Sequence, residues 1–476
     1  MNYTKRLLVL LMLLAIATVW GAPGAFAKDP DPRAMKFPPL DFKVPKSERV
    51  QLKNGMVVYL LADHELPIVN VTAYVGTGGV YDPADKVGLA SLVGATLRSG
   101  GTKRTSADQL DKELEFMASS IESGIDSDIG SVSCATLTRN LDRTLALFAQ
   151  VLTEPAFEPA RVELARNHAL EGIRRQNDDP KAVGDRELRE AVYQGHPLGR
   201  IPTQASVKAV TREDLLAFQK RYFFPKNIIL AVAGDFDRDK LLARLDELFA
   251  AWPNESTVFP QIPQPSAPLI PEVLLVQKDV NQSVIRMGHL GIDKSDPDLY
   301  ALRVMDHILG GGFTSRLTQE IRSNRGLAYN VFSFNDVGRR FTGSFIAETE
   351  TKTESTAKVV GLMESIIAGM TKAEVTPQEL SLAKDSIINS FIFGFATPMA
   401  VVNQQARLEY YGYPPGYLDN YRANIAKVTA ADVLRAARKH LHPEAMKVVV
   451  VGNSKKFDAP LSQFGKVREI TLECVK

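Results

Sequence analysis

The strongest constraint on the fold is an internal repeat. Pro159, Leu164, Ala165 and Arg166 are matched 218 residues later by Pro377, Leu382, Ala383 and Lys384. The same offset carries Val210-Thr211 onto Val428-Thr429, Pro225 onto Pro443 and Gly234 onto Gly452. Upstream, Ala90, Leu97, Gly100 and Gly101 meet Ala301, Ile308, Gly311 and Gly312 at an offset of 211, so a short insertion separates the two registers. A chain that repeats over this distance folds as two copies of one unit.

Each unit reads as α+β. Val50 to Leu52, the Asn54-Gly55 pair and Met56 to Leu61 form a hairpin, and Ile68 to Val75 alternates as the next strand. Ser119 to Ile125 and Gly130 to Leu137 are further strands, while Gly88 to Leu97, Leu141 to Leu152, Pro159 to Asn177 and Arg212 to Arg221 carry helical spacing. Asn227 to Gly234 closes the unit as a buried strand. Six prolines between Pro253 and Pro271 make a stiff linker. The expected architecture is a tandem duplication of two α/β-sandwich domains, with mixed sheets covered by helices. Its parts are a signal segment (1–27), an extended leader (28–49), an N-terminal domain (50–252), the linker (253–271), a C-terminal domain (272–456) and a tail (457–476).

The signal reading rests on Lys5 and Arg6, the apolar run Leu7 to Trp20, and the small-x-small site Ala25-Phe26-Ala27. Its apolar core is shorter than the roughly 20 residues that span a bilayer. The mature chain is expected to be exported, to the periplasm or outside, with no membrane attachment after cleavage. Lys and Arg number 57 against 55 Asp and Glu, and loss of Lys5 and Arg6 levels the two, which removes any electrostatic case for nucleic acid. Cys134 and Cys474 could pair in an oxidising compartment or remain free thiols.

Gly88-Leu89-Ala90 opens a helix that exits through Gly100-Gly101-Thr102, and Ile173, Asp178, Asp179 and Pro180 stand in a later one. Both frames resemble the insulinase/pitrilysin-type zinc proteases, in particular the two-subunit processing-peptidase and bacterial exported branch. In that family the first helix carries H-x-x-E-H, and a Glu before the Ile supplies the third ligand. Zinc hydrolysis requires three protein ligands, an open position for water and a base. Here Ser91 and Ala95 occupy the histidine positions, Gly94 the base and Gly172 the third ligand, so the metal site is degenerate. Glu171 lies one residue away, about 100° round the helix. Among the seven histidines, His168 lacks a second His at ligand spacing, and His440 and His442 match Tyr222 and Phe224, which reads as core-edge packing. No metal is expected in this chain; the zinc belongs to a partner.

The resemblance is most specific from Leu309 to Leu317 and from Gln319 to Tyr329. There the family places an Arg and, seven residues later, a Tyr that reach a substrate held at the partner's zinc. Arg322 and Tyr329 have that spacing, which implies a grip on substrate carbonyls by Arg322 and a hydrogen bond to the tetrahedral oxyanion from Tyr329. Arg325 competes for the arginine role. Gly310, Gly311 and Gly312 read either as a helix cap or, by the family likeness, as a flexible loop at a chamber mouth. Gln282 to Leu290, with Ser283 and Ile285, reads either as a sheet edge that takes an extended peptide or as an interior strand. The resemblance implies the non-zinc subunit of a heterodimeric metalloprotease, inactive alone, paired with a zinc-bearing homologous subunit and acting on unfolded or short peptides. The alternative is a catalytically silent structural or peptide-binding module.

Overall fold

The computed structural model describes residues 41–254 and 257–472. The expected signal segment, most of the leader and Cys474 lie outside them. Cys134 is buried, and burial pushes its thiol up to about 12.

Among the described residues, twelve strands build two six-stranded mixed sheets. The first contains β1 (Glu48–Gln51), β2 (Val57–Ala62), β3 (Ile68–Val75), β4 (Ser120–Ile125), β5 (Gly130–Leu137) and β6 (Ile228–Gly234), in the order β1-β2-β6-β3-β5-β4. The second contains β7 (Glu272–Gln277), β8 (Gln282–Leu290), β9 (Ala328–Asp336), β10 (Ser344–Lys352), β11 (Lys447–Gly452) and β12 (Val467–Ile470), in the order β12-β7-β11-β8-β10-β9. Five strand positions repeat between the sheets, and only the strand beside β2 or β7 differs. In the first sheet it is β1, antiparallel through the Asn54-Gly55 turn, where Gly55 takes φ +90°. In the second it is β12, parallel to β7. The expected tail is therefore built into the second sheet over its described part, 457–472: Leu461 is buried and β12 completes the sheet edge.

Six helices shape the candidate site and the join between the halves: α1 (Leu89–Leu97), α2 (Pro159–Arg175), α3 (Pro180–Val192), α4 (Leu299–Leu309), α5 (Pro398–Tyr410) and α6 (Ala430–His440). Helices α1 and α2 pack on one face of the first sheet, joining Leu89, Leu92, Val93 and Ile173 to Val69, Val71 and Val232 in its core. The α4 and α6 helices do the same for the second sheet.

The opposite faces are covered by exchange. Val183, Leu188 and Val192 of α3, from the first half of the sequence, pack on Leu274, Val276, Val284, Val449 and Val451 of the second sheet. Helix α5, from the second half, places Val402 and Ala406 against Tyr74, Ala231 and Ala233 of the first. The two helices occupy the same repeat position at the 218-residue offset. Ion pairs fix both. Asp185 of α3 meets the buried Arg286 at 2.6 Å, and Glu409 of α5 meets Arg49 at 2.6 Å and the Tyr59 hydroxyl at 2.5 Å. Coverage on both faces explains why β6 and β11 are near-continuous apolar runs rather than alternating ones. The expected leader ends in the same contact, where Gln405 Nε2 donates to the Pro45 carbonyl at 2.8 Å and accepts, through Oε1, from the Ser47 hydroxyl at 2.6 Å.

The described part of the proline-rich linker contains no helix or strand. Phe259 lies against the rings of Tyr81 and Tyr222, and His196 Nε2 donates to the Pro263 carbonyl at 2.9 Å. No single described helix is long and apolar enough to cross a membrane.

Candidate functional site

Helix α1 begins at Gly88, whose φ of +106° requires glycine, and its first amides are held by one carboxylate. Asp82 accepts from Gly88 N at 2.8 Å and Ala90 N at 2.9 Å. Burial pushes that carboxyl up to about 6 against the pull of these amides. From this start the helix buries Leu89, Ala90, Leu92, Val93 and Leu97, and exposes Ser91 and Ala95 one turn apart.

Gly94 is buried. A Cβ there would stand 2.5 Å from the Ile125 amide nitrogen and 2.9 Å from the Gly124 carbonyl carbon, because β4 passes directly over this turn. Ser123 Oγ donates to the Gly94 carbonyl at 2.7 Å and fastens the strand to the helix. The position that would carry the base is thus occupied by the backbone of a neighbouring strand.

Gly172 sits on the exposed side of α2, with nothing within 4 Å of a built Cβ. It and Ser91 line one hollow of about 180 Å³ between α1, α2 and Val207. The structure therefore brings Ser91 and Gly172 to one hollow, with Ala95 one helical turn on from Ser91 and Gly94 beneath β4, and none of the four offers a ligand atom fit for zinc. Glu171 points elsewhere, 3.4 Å from Arg174, and His168 is exposed on α2.

One cluster has the composition of a metal site: the ligand atoms of Asp296, Asp298 and His440 lie within 4.8 Å of one another. Asp298 is already shared by Arg435, by Lys439 Nζ at 3.0 Å and by His440 Nε2 at 3.0 Å. Burial favours its neutral form, but hydrogen bonds from Arg435, His440 and Lys439 prevail and hold the carboxyl well below the usual range. With cations on that carboxylate, the cluster is an ion-pair knot joining α6 to the start of α4. This corrects the packing role expected for His440. His442 does pack as expected, its ring edge-on to His289 at 5.2 Å.

The second-half motif lies at the free edge of the second sheet. Helix α4 ends at Gly310, where the amides of Gly310 and Gly311 both donate to the Asp306 carbonyl at 2.9 and 2.8 Å. A Cβ on Gly310 would meet Ser333 N at 2.2 Å, so the first glycine is required by the close approach of β9. The first two glycines are a helix cap, whereas Gly312 has room around it. Asp306 is buried at this end, accepting from Asn335 Nδ2 at 2.7 Å and Asn335 N at 3.1 Å, and burial pushes its carboxyl up to about 6.

The chain then forms a π-helical turn over Thr318–Asn324, reverses at Gly326 (φ +61°) and enters β9. Arg325 is spent on Glu320, with Nε to Oε1 at 2.7 Å. Arg322 has no carboxylate partner among the described residues. Its guanidinium carbon stands 5.0 Å from the Tyr329 ring and 5.2 Å from the Phe313 ring. Tyr329 is 84% exposed and Phe313 75%, so the half-buried Arg322 cation is stacked on two solvent-facing rings, with its in-plane N–H donors unspent among the described residues. The family resemblance pointed to Arg322 and Tyr329, which the structure stacks together, but not to Phe313, which joins them. The signal for it was a large apolar residue directly after three glycines.

Ser283 and Ile285 are not at an edge. Strand β8 is paired by β11 on one side and β10 on the other, and both residues are fully buried. The edge reading for Gln282 to Leu290 is therefore wrong, because the long hairpin-like return of β10 occupies the side that a peptide would need. The outermost strands are β1 and β4 in one sheet, β9 and β12 in the other.

Two family models match in succession: "Insulinase (Peptidase family M16)" over residues 57–205 and "Peptidase M16 inactive domain" over 209–387. An uncharacterized zinc protease of Mycobacterium leprae is 29% identical over 83% of this chain and 89% of its own length. The non-peptidase homolog YmxG of Helicobacter pylori is 24% identical over 83% of this chain and 91% of its own. Among solved structures, a peptidase M16 inactive domain from Pseudomonas fluorescens superposes with a TM-score of 0.77 at 26% identity, covering 86% of this chain and 98% of that one. The mixed sheets covered by helices thus agree with the comparisons, and the chain belongs to the insulinase (peptidase M16) family.

Proposed function

We propose that this chain is the non-zinc subunit of an exported heterodimeric M16 metalloprotease. A zinc-bearing homologous subunit supplies the metal and the base, and this chain supplies one wall of a chamber for unfolded or short peptides. The observation that carries the reading is the contrast between two places in one molecule. At Ser91, Gly94, Ala95 and Gly172 the metal chemistry is gone, and a strand backbone fills the base position. At the half-buried Arg322 and the exposed Tyr329 the side-chain donors are unspent among the described residues.

In this reading Arg322 binds peptide carbonyls through its in-plane N–H groups, for which its stack on Tyr329 and Phe313 preorients it. Tyr329 donates its phenolic proton as a hydrogen bond to the oxygen that becomes negative as the scissile carbon turns tetrahedral. A preorganised donor of this kind is worth on the order of 100-fold in kcat. Alone, the chain hydrolyses nothing.

The test is peptide cleavage by a zinc-bearing partner with and without this chain. Added chain is expected to raise the rate, and Tyr329→Phe in the complex to remove most of that gain without lowering its melting temperature. A rate indifferent to the chain and to Tyr329→Phe supports the silent-module reading instead, toward which the likeness to a non-peptidase homolog points.

A further inference from the structure

The exchange of α3 and α5 has a consequence at the seam between the halves. Each helix carries an Arg near its C-terminal end and a Tyr four residues later: Arg189 and Tyr193 for α3, Arg407 and Tyr411 for α5, counterparts at the 218-residue offset. Having crossed in opposite directions, the two helices bring all four residues to one cavity of about 290 Å³. Its other walls include the turn after β4 and the turn after β9. The volume lies at the lower end of the range for small-ligand pockets.

The charges around this cavity do not pair with one another. Arg189, Arg339 and Arg407 line it together with Asp126, Asp128 and Asp336, and among the described residues none of the six makes an ion pair. Arg407 and Asp128 are half-buried, where an unpaired charge is costly, and the other four are exposed. The Tyr411 ring lies under Arg339 at 5.3 Å, while its hydroxyl donates to Asp128 Oδ1 at 3.2 Å. Buried Val337 and Phe341 add apolar surface to the same walls.

The backbone that carries the carboxylates is pinned. Gly79 N donates to the Asp126 carbonyl at 2.9 Å, and Gly338 N and Gly343 N both donate to the Ile292 carbonyl at 3.0 Å. The frame therefore holds the two signs of charge apart and keeps the space between them.

Unpaired charges of both signs around one space suit a molecule that carries both. Guanidinium groups offer forked donors to a carboxylate, and aspartates offer acceptors to an ammonium. An anion alone would face the three aspartates, and a cation alone the three arginines. We propose that this cavity binds a small zwitterion of the dipeptide class. Its carboxylate is held by the arginines of the exchanged helices, its ammonium by the aspartates of the two turns, and its side chains by the apolar walls. The cavity shares no lining residue with the Arg322 and Tyr329 motif, and the inference does not rest on the proteolytic reading.

The experiment is calorimetric titration of the full mature chain with alanyl-leucine, its N-acetyl derivative, its C-terminal amide and inorganic phosphate. Alanyl-leucine is expected to bind at one equivalent, and loss of either terminal charge to weaken binding at least about tenfold. Arg189→Gln and Asp336→Asn replace exposed side chains and are expected to leave the melting temperature unchanged. Each should weaken alanyl-leucine at least about tenfold. Arg189→Gln should leave the weaker binding of the amide as it was, and Asp336→Asn that of the N-acetyl form. The proposal is overturned if alanyl-leucine does not bind, if either capped form or phosphate binds as tightly, or if both variants keep the wild-type affinity.

Discussion

At the scale of single residues, two glycines in the same degenerate site have opposite physical origins. Gly94 is a packing residue. Replacing a helix-interior glycine by alanine ordinarily stabilises by about 1 kcal/mol, but here the new methyl would sit 2.5 Å from backbone that has no free rotamer to yield. Gly94→Ala is therefore expected to destabilise by about 1–3 kcal/mol, read as a lower urea midpoint with unchanged slope. Restoring the full set, with His at 91 and 95 and Glu at 94 and 172, should bind no stoichiometric zinc, because β4 must move before the glutamate fits. Zinc bound at one equivalent with native stability would contradict this. That the four letters lack metal chemistry was legible in the sequence. The reason one of them cannot be restored was not, since it depends on a strand thirty residues on. The choice between Arg322 and Arg325 had the same limit: both sit in one motif, and only the Glu320 pair separates them.

At the scale of elements, the 218-residue offset makes α3 and α5 counterparts, but it does not say where either goes. Each has an apolar stripe that fits its own half as well as the other, and amphipathic spacing carries no address. The structure sends each across. Leu188 lies in the first half of the sequence and is 3% exposed in the core of the second sheet. Leu188→Ala should cost about 2–5 kcal/mol, and hydrogen exchange should quicken in β8 and β11 before β3 and β6. Faster exchange confined to the first sheet would show that the helix serves its own half. The strand edges failed in the reading for a related reason. Alternation in Gln282 to Leu290 describes a pleat, while edge or interior status is set by β10, some sixty residues later.

At the scale of the molecule, the two halves are interlocked rather than merely tethered by their linker. Residues 44–254 made alone would leave the face of β2, β6 and β3 without Val402 and Ala406, and residues 257–472 would leave β8 and β11 without α3. Each half alone is expected to be a compact, dye-binding state with weak near-ultraviolet dichroism, and mixing the two should restore a cooperative transition. A sharp unfolding transition in either half alone would refute interlocking. The duplication, the proline linker and the mixed sheets were readable because they are local or periodic. The crossing of helices between halves was not, because it lives in contacts two hundred residues apart.

That crossing also sets a clock on synthesis. The first sheet has all six of its strands once Gly234 has emerged, yet the helix that roofs its second face ends at Tyr410. For the time needed to make some 170 further residues, on the order of ten seconds or more at ordinary elongation rates, an apolar sheet face stands open to water. A nascent chain of this design is soft for most of its birth and hardens almost at once near its end. A truncation anywhere before α5 then leaves that face open for good, a substrate for quality control rather than a smaller working protein.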